Sequence, residues 1–413
     1  MQDTMALVLA GGRGASLSVL SAERAESALP FGGKYRVVDF VLSNCCHSGI
    51  VRVGVLTQHA PTSLHDHIGS GRPWDLDRRD ARVFILQPFL TRESSGWYRG
   101  TADALGQNRD LIEESRVRRV LVLPGDHVYK MDYRELARTH EERGARVTIA
   151  VTPVRAEETR RFGMVTVADG DRVVALDEKP PATSSRLASM GVVLFEADVL
   201  LEALDKKPVD LTLDVLQPMI ESGERVFAHH FQGYWEDVGT LTTYYRANLD
   251  LLAPEPGLTL DDPAWPILTR DEERPPVLIL PGAELEGSLV ANGCRVAGSV
   301  RHSILFPGVT VEAGAEVTAS VVLPDAWIGP GARLDRAILD KHSWIGPGAR
   351  VGLGSATGHA PLTLLGKYVQ VPEGAEVGRG AVLGVGAGPQ DFRDHKIEPG
   401  TRVPDRQELE VRP

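Results

Sequence analysis

Cysteine is scarce in this sequence: three residues in 413, with Cys45 and Cys46 adjacent and Cys294 far away. Neighbours in sequence rarely form a disulfide, and no Cys/His spacing of a metal site occurs, so buried free thiols in a reducing compartment are expected. Positive charge is also in deficit, with a net charge of −11. That balance excludes general binding to nucleic acid or an anionic membrane, both of which need a basic face, and makes any anion site local. No uninterrupted apolar run approaches the ~20 residues of a membrane-spanning helix. The segment "ALVLAGG" begins at residue 6, which leaves no room for a cleavable targeting peptide. A cytoplasmic protein is the expectation.

What is present is a soluble composition, 42% hydrophobic and 24% charged, long enough for two or three domains. Up to about residue 250, short apolar runs alternate with amphipathic ones. "MALVLAG" (5–11), "VRVGVLT" (51–57), "RRVLVLPGDH" (118–127) and "ARVTIAVTPV" (145–154) read as buried strands. "DALGQNRDLIEES" (103–115) and "DYRELARTHEER" (132–143) read as helices. This alternation predicts an α/β domain over 1–251 with a mainly parallel, Rossmann-like sheet, whose ligands bind at the carboxyl ends of the strands. The stretch 252–277, rich in proline and acid, reads as a linker.

Residues 278–413 have a different texture, short apolar pairs separated by "PGA", "PGV" and "EAG". Cys294, Val311, Ile328 and Ile345 are seventeen apart, as are Val300, Val317, Leu334 and Val351; Ile304, Val321 and Ile338 keep that step, and so do Gly314, Gly331 and Gly348. Within a coil the beat is six, as in "IGPGARL" (328–334) and "IGPGARV" (345–351). Such a pattern predicts a left-handed parallel β-helix of at least four coils, with one aliphatic per face stacked on its counterpart and glycine at the corners. Flat solenoid faces of this kind suit subunit association.

"GGRG" (11–14) follows a strand and makes a turn whose N–H groups can cradle phosphate oxygens. It is accompanied, in order, by "LPFGGKYRVVDFVLSNCCHSGI" (29–50), "WYRGTADA" (97–104), "LPGDHVYKMDY" (123–133), "FGMVTV" (162–167), "DEKP" (177–180), "ASMGVVLF" (188–195) and "WEDVGTLTTYYRANLDLL" (235–252). With these motifs the chain resembles, over nearly its whole length, the ADP-glucose pyrophosphorylases (glucose-1-phosphate adenylyltransferases). The resemblance implies a GT-A-like nucleotidyltransferase domain and the reaction of ATP with glucose 1-phosphate to give ADP-glucose and pyrophosphate, assisted by Mg²⁺, in glycogen or starch synthesis. It gives Asp126 and Asp237 the roles of the metal-binding catalytic pair, a donor set suited to a hard cation. It places Glu178, Lys179 and Ser189 at glucose 1-phosphate, and Gly11, Gly12, Gly14, Gln58, Gly100, Thr101 and Asp103 at the nucleotide. It further implies a cytoplasmic homo- or hetero-tetramer regulated by an anionic effector, and sets Lys341 where some members carry an activator-binding lysine; a solvated corner residue is the other reading of Lys341.

Two departures bear on turnover. The family's first loop reads G-G-x-G-T-R-L and is followed by R-A-K-P-A; here "GGRGASL" puts Ser16 in the arginine's place and "RAESA" (24–28) puts Glu26 in the lysine's. Those cations grip the triphosphate and the leaving pyrophosphate. Replacing a cation by a carboxylate removes an attraction and adds a repulsion, each of order 4 kcal/mol at ~4 Å and an effective dielectric near 20. A loss of ~4 kcal/mol slows a reaction roughly 10³-fold. Arg13, Arg24, Lys34 and Arg36 lie nearby in sequence, but the family carries basic residues there as well as the missing pair. The expectation is therefore a weakly active or regulatory subunit working beside a catalytic paralogue. The alternatives are a fully active adenylyltransferase or related sugar-phosphate nucleotidyltransferase. A β-helix acyltransferase is less consistent, since no coil histidine sits in a catalytic motif.

Overall fold

The computed structural model describes residues 1–89, 96–354 and 361–406. Its contacts divide into two compact units that are interleaved along the chain: Met1–Arg13, Val38–Trp235 and Asp261–Leu268 in the first, Gly14–Val37, Glu236–Leu260 and Thr269–Pro413 in the second.

The first unit is built on a sheet of nine strands among the described residues. Its strands are β1 (Thr4–Leu9), β2 (Arg52–Leu56), β3 (Arg82–Leu86), β4 (Arg119–Pro124), β5 (Val147–Pro153), β6 (Gly163–Val167), β7 (Val173–Glu178), β8 (Leu187–Glu196) and β9 (Val226–His230). The main path runs β7-β6-β8-β4-β1-β2-β3, and β5 lies beside both β8 and β9. The predicted parallel core is present, since β1 pairs in parallel with β2 and β4, and β2 with β3. The sheet is mixed, because β8 runs antiparallel to β4, β5 and β6. Met5, Leu7, Val120 and Val122, alternating along β1 and β4, share one apolar cluster with Leu105, Ile112, Leu200 and Leu204 of helices on that face. The helix expected over 103–115 is two, Thr101–Gln107 and Arg109–Ser115. Asn108 between them leaves helical geometry (φ −110°, ψ 21°), and its amide donates to Ala104 O at 2.9 Å and to the Tyr98 hydroxyl at 3.0 Å. A short amide that bonds back to the main chain competes with the helix ladder.

The proline-rich segment docks in part on the first unit. Trp265 Nε1–H donates to Asn44 Oδ1 (3.0 Å), Leu268 N–H to Ser43 Oγ (2.9 Å), and Ile267 is buried.

The second unit contains a left-handed parallel β-helix of three sheets, with six, seven and seven strands among the described residues. Val300, Val317, Leu334 and Val351 stack in successive coils, as do Ile304, Val321 and Ile338, matching the seventeen-residue step. Gly314, Gly331 and Gly348 turn a corner with φ of 71°, 68° and 65°. One reading needs correction: the counterpart of Val311 is Val296, not Cys294. The coil there is two residues shorter, so Cys294 is buried beside the stack, its thiol donating to Phe306 O. The three cysteines are free; Cys45 and Cys294 are buried, while Cys46 is partly exposed.

Candidate functional site

In the first unit, the carboxyl ends of β1, β2 and β4 deliver Gly11, Gln58 and Asp126 at one edge. Leu9 is in register with both Leu56 and Pro124, Ala10 N–H donates to Leu56 O, and Gly125 N–H to Leu9 O. A Cβ on Gly11 would stand 3.2 Å from Gln58 Cβ, so the bare backbone is what lets the two segments close. Gln58 in turn accepts from Tyr98 N–H (2.6 Å) and donates to Tyr98 O (3.3 Å), tying the "WYRGTADA" segment to the same edge.

The other predicted nucleotide residues are held by local bonds. Gly100 packs where any Cβ would fall 2.4 Å from Val209 O. Thr101 Oγ1 accepts from Leu211 N–H at 2.8 Å. Asp103 accepts from the main chain and guanidinium of Arg99 and from Gln107. Burial opposes its charge, but these donors hold the carboxyl below the usual aspartate range. Gly12 is exposed.

A second cluster gathers at the end of β7. Glu178 is opposite Gly163 across the β6–β7 pair, and a Cβ on Gly163 would approach Glu178 Oε2 to 3.1 Å and Ser189 Cβ to 3.8 Å. Gly163 thus lies between Glu178 and Ser189, close to both. Ser189 starts a bulge in β8, where Gly191 (φ 71°) donates its N–H to Ser189 Oγ at 3.2 Å. Lys179 follows with φ 46°, a left-handed conformation that costs a lysine of order 1–3 kcal/mol and that Pro180 does nothing to relieve. Its N–H donates to Phe162 O at 3.1 Å, and its ammonium is 3.5 Å from Glu178 Oε1.

His127 and Trp235 belong to the quoted motifs but received no role from sequence. Trp235 Nε1–H donates to His127 Nδ1 at 3.2 Å with the rings edge to face, and Phe162 packs 4.9 Å from the Trp235 ring. Their signal was the unbroken spelling of "GDH" and "YWED".

Asp237 belongs to the second unit, at the end of the strand Trp235–Asp237, where its Oδ1 accepts from Gly239 N–H at 2.8 Å. The same unit holds the altered loop. Gly14 is left-handed (φ 62°), and the Glu26 side chain covers it so closely that a Cβ there would meet Cγ at 2.5 Å and Oε1 at 2.8 Å. Ser16 is exposed on the short 3₁₀ turn, and Ser21 Oγ donates to Gly14 O at 2.7 Å. Arg24 does not point free: it is buried and grips both oxygens of buried Asp340 at 2.7 and 2.8 Å. Glu23 pairs with Lys367 at 2.9 Å. Lys341, next to Asp340, is largely enclosed; burial first, then the nearby charges of Arg36 and Arg24, lower its pKa to about 8.

Comparison with known proteins accords with this arrangement. Residues 5–253 match the nucleotidyl transferase family, and residues 282–364 match the GlmU-like C-terminal hexapeptide family. The chain is 46% identical to a glucose-1-phosphate adenylyltransferase of Thermotoga neapolitana across 99% of this chain and 100% of the relative. It is 52% identical to one of Thermomicrobium roseum across 72% and 71%, and 38% identical to one of Acetivibrio thermocellus across 97% and 98%. No helix among the described residues is long and apolar enough to cross a membrane. By motif order, fold and full-length similarity, the chain belongs to the glucose-1-phosphate adenylyltransferase family.

Proposed function

We propose that this protein is an ADP-glucose pyrophosphorylase-type subunit that binds ATP and glucose 1-phosphate but turns them over slowly, and that modulates a catalytic paralogue within a cytoplasmic tetramer. The observation that carries the reading is Glu26, whose carboxylate lies on the Gly14 turn where the family's phosphate-gripping lysine would stand. Arg24 offers no replacement, because its guanidinium is committed to Asp340.

In the family reaction a phosphate oxygen of glucose 1-phosphate forms a bond to the α-phosphorus of ATP, and the bond to the β-phosphate bridge breaks to release pyrophosphate. Lys179 would hold the sugar phosphate as a point charge, with Glu178 and Ser189 accepting and donating at the sugar hydroxyls. The edge formed by Gly11 and Gln58 would receive the nucleotide, with N–H groups of the glycine turn directed at its phosphates. Asp126 and Asp237 offer carboxylate oxygens, a donor set that fits Mg²⁺, and Asp126 is open enough to retain water around the ion. Bound there, the ion would neutralise phosphate charge. What this chain lacks is the pair of cations that stabilise the departing pyrophosphate, and such a group is worth ~10³-fold or more in transfer reactions. Lys341, with Arg36 and Arg24 close by, would serve an anionic effector.

The test is an assay of ADP-glucose formation by the purified chain alone, by Ser16→Arg/Glu26→Lys, and by the chain mixed with an intact paralogue. The reading expects a low rate alone, a rise of about 10²-fold or more in the double variant, and an altered effector response in the mixture. A second reading, the simply active enzyme, is favoured by the 46% identity to a named adenylyltransferase along the full chain. Ordinary rates from the unmodified chain alone, unimproved by the double substitution, would select it.

A further inference from the structure

We propose that His127 is a positioning residue that holds the Asp126 carboxylate, and that its own orientation is set by Trp235. This rests on the reading of Asp126 as a cation ligand. The indole N–H of Trp235 can only donate. Its partner, His127 Nδ1 at 3.2 Å, must therefore be the unprotonated nitrogen, which leaves the ring hydrogen on Nε2. Nε2 faces Asp126 Oδ1 at 3.7 Å, a gap that a sub-ångström turn of the carboxylate closes. A donor brought onto Oδ1 in this way would fix the carboxylate plane, as groups behind a metal ligand commonly do. The chain of contacts continues away from Asp126. The Trp235 ring packs on Phe162, and the Phe162 carbonyl accepts the main-chain N–H of Lys179, the residue with the left-handed backbone. Phe162 and Trp235 belong to one small cluster with Met164 and Ala188, which keeps the indole from swinging. The lip assigned to the sugar phosphate and the carboxylate assigned to the cation are thereby joined through one packed indole.

The experiment titrates the full-length protein with Mn²⁺ and follows free ion by electron paramagnetic resonance. His127→Ala is expected to weaken Mn²⁺ binding about tenfold. His127→Gln should bind within about twofold of the unmodified protein, because its carboxamide can accept from Trp235 and donate to Asp126 at once. Trp235→Phe keeps the ring but loses the donor, and should give an intermediate loss. In ¹⁵N-histidine spectra of the metal-free protein, His127 should carry its proton on Nε2, and Trp235→Phe should mix the tautomers. Unchanged Mn²⁺ affinity in His127→Ala, equal losses in the Ala and Gln variants, or a proton on Nδ1 would each overturn the proposal. Asp126→Asn separates the two readings: if it binds Mn²⁺ like the unmodified protein, the cation assignment fails and the role of His127 falls with it. Should His127→Ala not fold, the Gln and Phe variants and the tautomer spectrum decide alone.

Discussion

Of the described non-glycine residues with positive φ, Ser18 and Lys179 sit in segments proposed to meet phosphate. Ser18 has φ 54° and ψ −131°, a conformation open mainly to glycine, inside the loop that lost its arginine. Ser18→Gly should stabilise the protein by about 1 kcal/mol, the relief of strain less the entropy that glycine costs, read as a higher urea midpoint. Lys179→Gly relieves the same kind of strain but removes a charge from the lip proposed to hold the sugar phosphate. Stability should rise while affinity for glucose 1-phosphate falls about tenfold or more, as the loss of one charge-assisted bond implies; calorimetry and melting on one variant check both. Lys341 makes a prediction about pH. Its pKa is near 8 in the fold and 10.5 when free, so the folded protein carries an unfavourable charge at neutral pH. Between those values the unfolded chain binds more protons, and stability must rise with pH. Lys341→Met should therefore be more stable than the parent by about 3 kcal/mol at pH 7, an advantage that shrinks as pH passes from 8 toward 10.5. The difference between the two unfolding curves isolates this group.

At the level of elements, periodicity announced most of the fold, and the exceptions have physical causes. The strands at residues 4–9, 52–56, 119–124 and 147–153 are visible because strands buried on both faces are near-continuous apolar runs rich in Val, Ile and Leu. The break at Asn108 is not, because helical spacing of apolar residues continues across it while one amide bonds back to Ala104. The coil register misled at Cys294 because an evenly spaced apolar residue can lie at a corner when a coil is two residues short. For the site, the glycine edge and the "DEKP" turn were legible as motifs, but the tautomer of His127 and the Arg24–Asp340 pair were not. Arg24 and Asp340 are 316 positions apart, and neither sits in a pattern that names its partner. That pair ties the loop Gly14–Val37 to a coil of the β-helix. Removing one partner leaves a buried charge, so Arg24→Ala should cost about 3–5 kcal/mol. Arg24→Met with Asp340→Leu, which removes both charges and keeps apolar volume, should cost far less. Equal losses in the two variants would show that the pair contributes packing rather than charge compensation.

For the molecule as a whole, the second compact unit is not a continuous stretch of chain. It takes the loop Gly14–Val37 from near the start, Glu236–Leu260 from the middle, and everything from Thr269 onward. Each insertion satisfies groups on the others. Arg24 neutralises Asp340, Lys367 pairs with Glu23, Tyr244 donates to Pro30 O, and Tyr245 donates to Ala319 O on a solenoid corner. The hexapeptide repeats alone look like a self-sufficient domain, since stacked coils bury Val317, Ile328, Leu334 and Ile345 among themselves. The difference is one carboxylate. A fragment of residues 278–413 keeps the coils but strands Asp340, fully buried in the intact protein, without its guanidinium. Removing the loop strips the coil at Asp340 of its ion pair and of the chain packed on it, and breaking a buried pair by removing one partner is strongly destabilising. The fragment should therefore melt well below the full chain. Asp340→Asn should cost the fragment little, whereas the same substitution in the full chain should destabilise by orphaning Arg24. Scanning calorimetry of the four proteins supplies the comparison. If the fragment melts like the full chain, the loop is a passenger on an autonomous solenoid rather than part of its core.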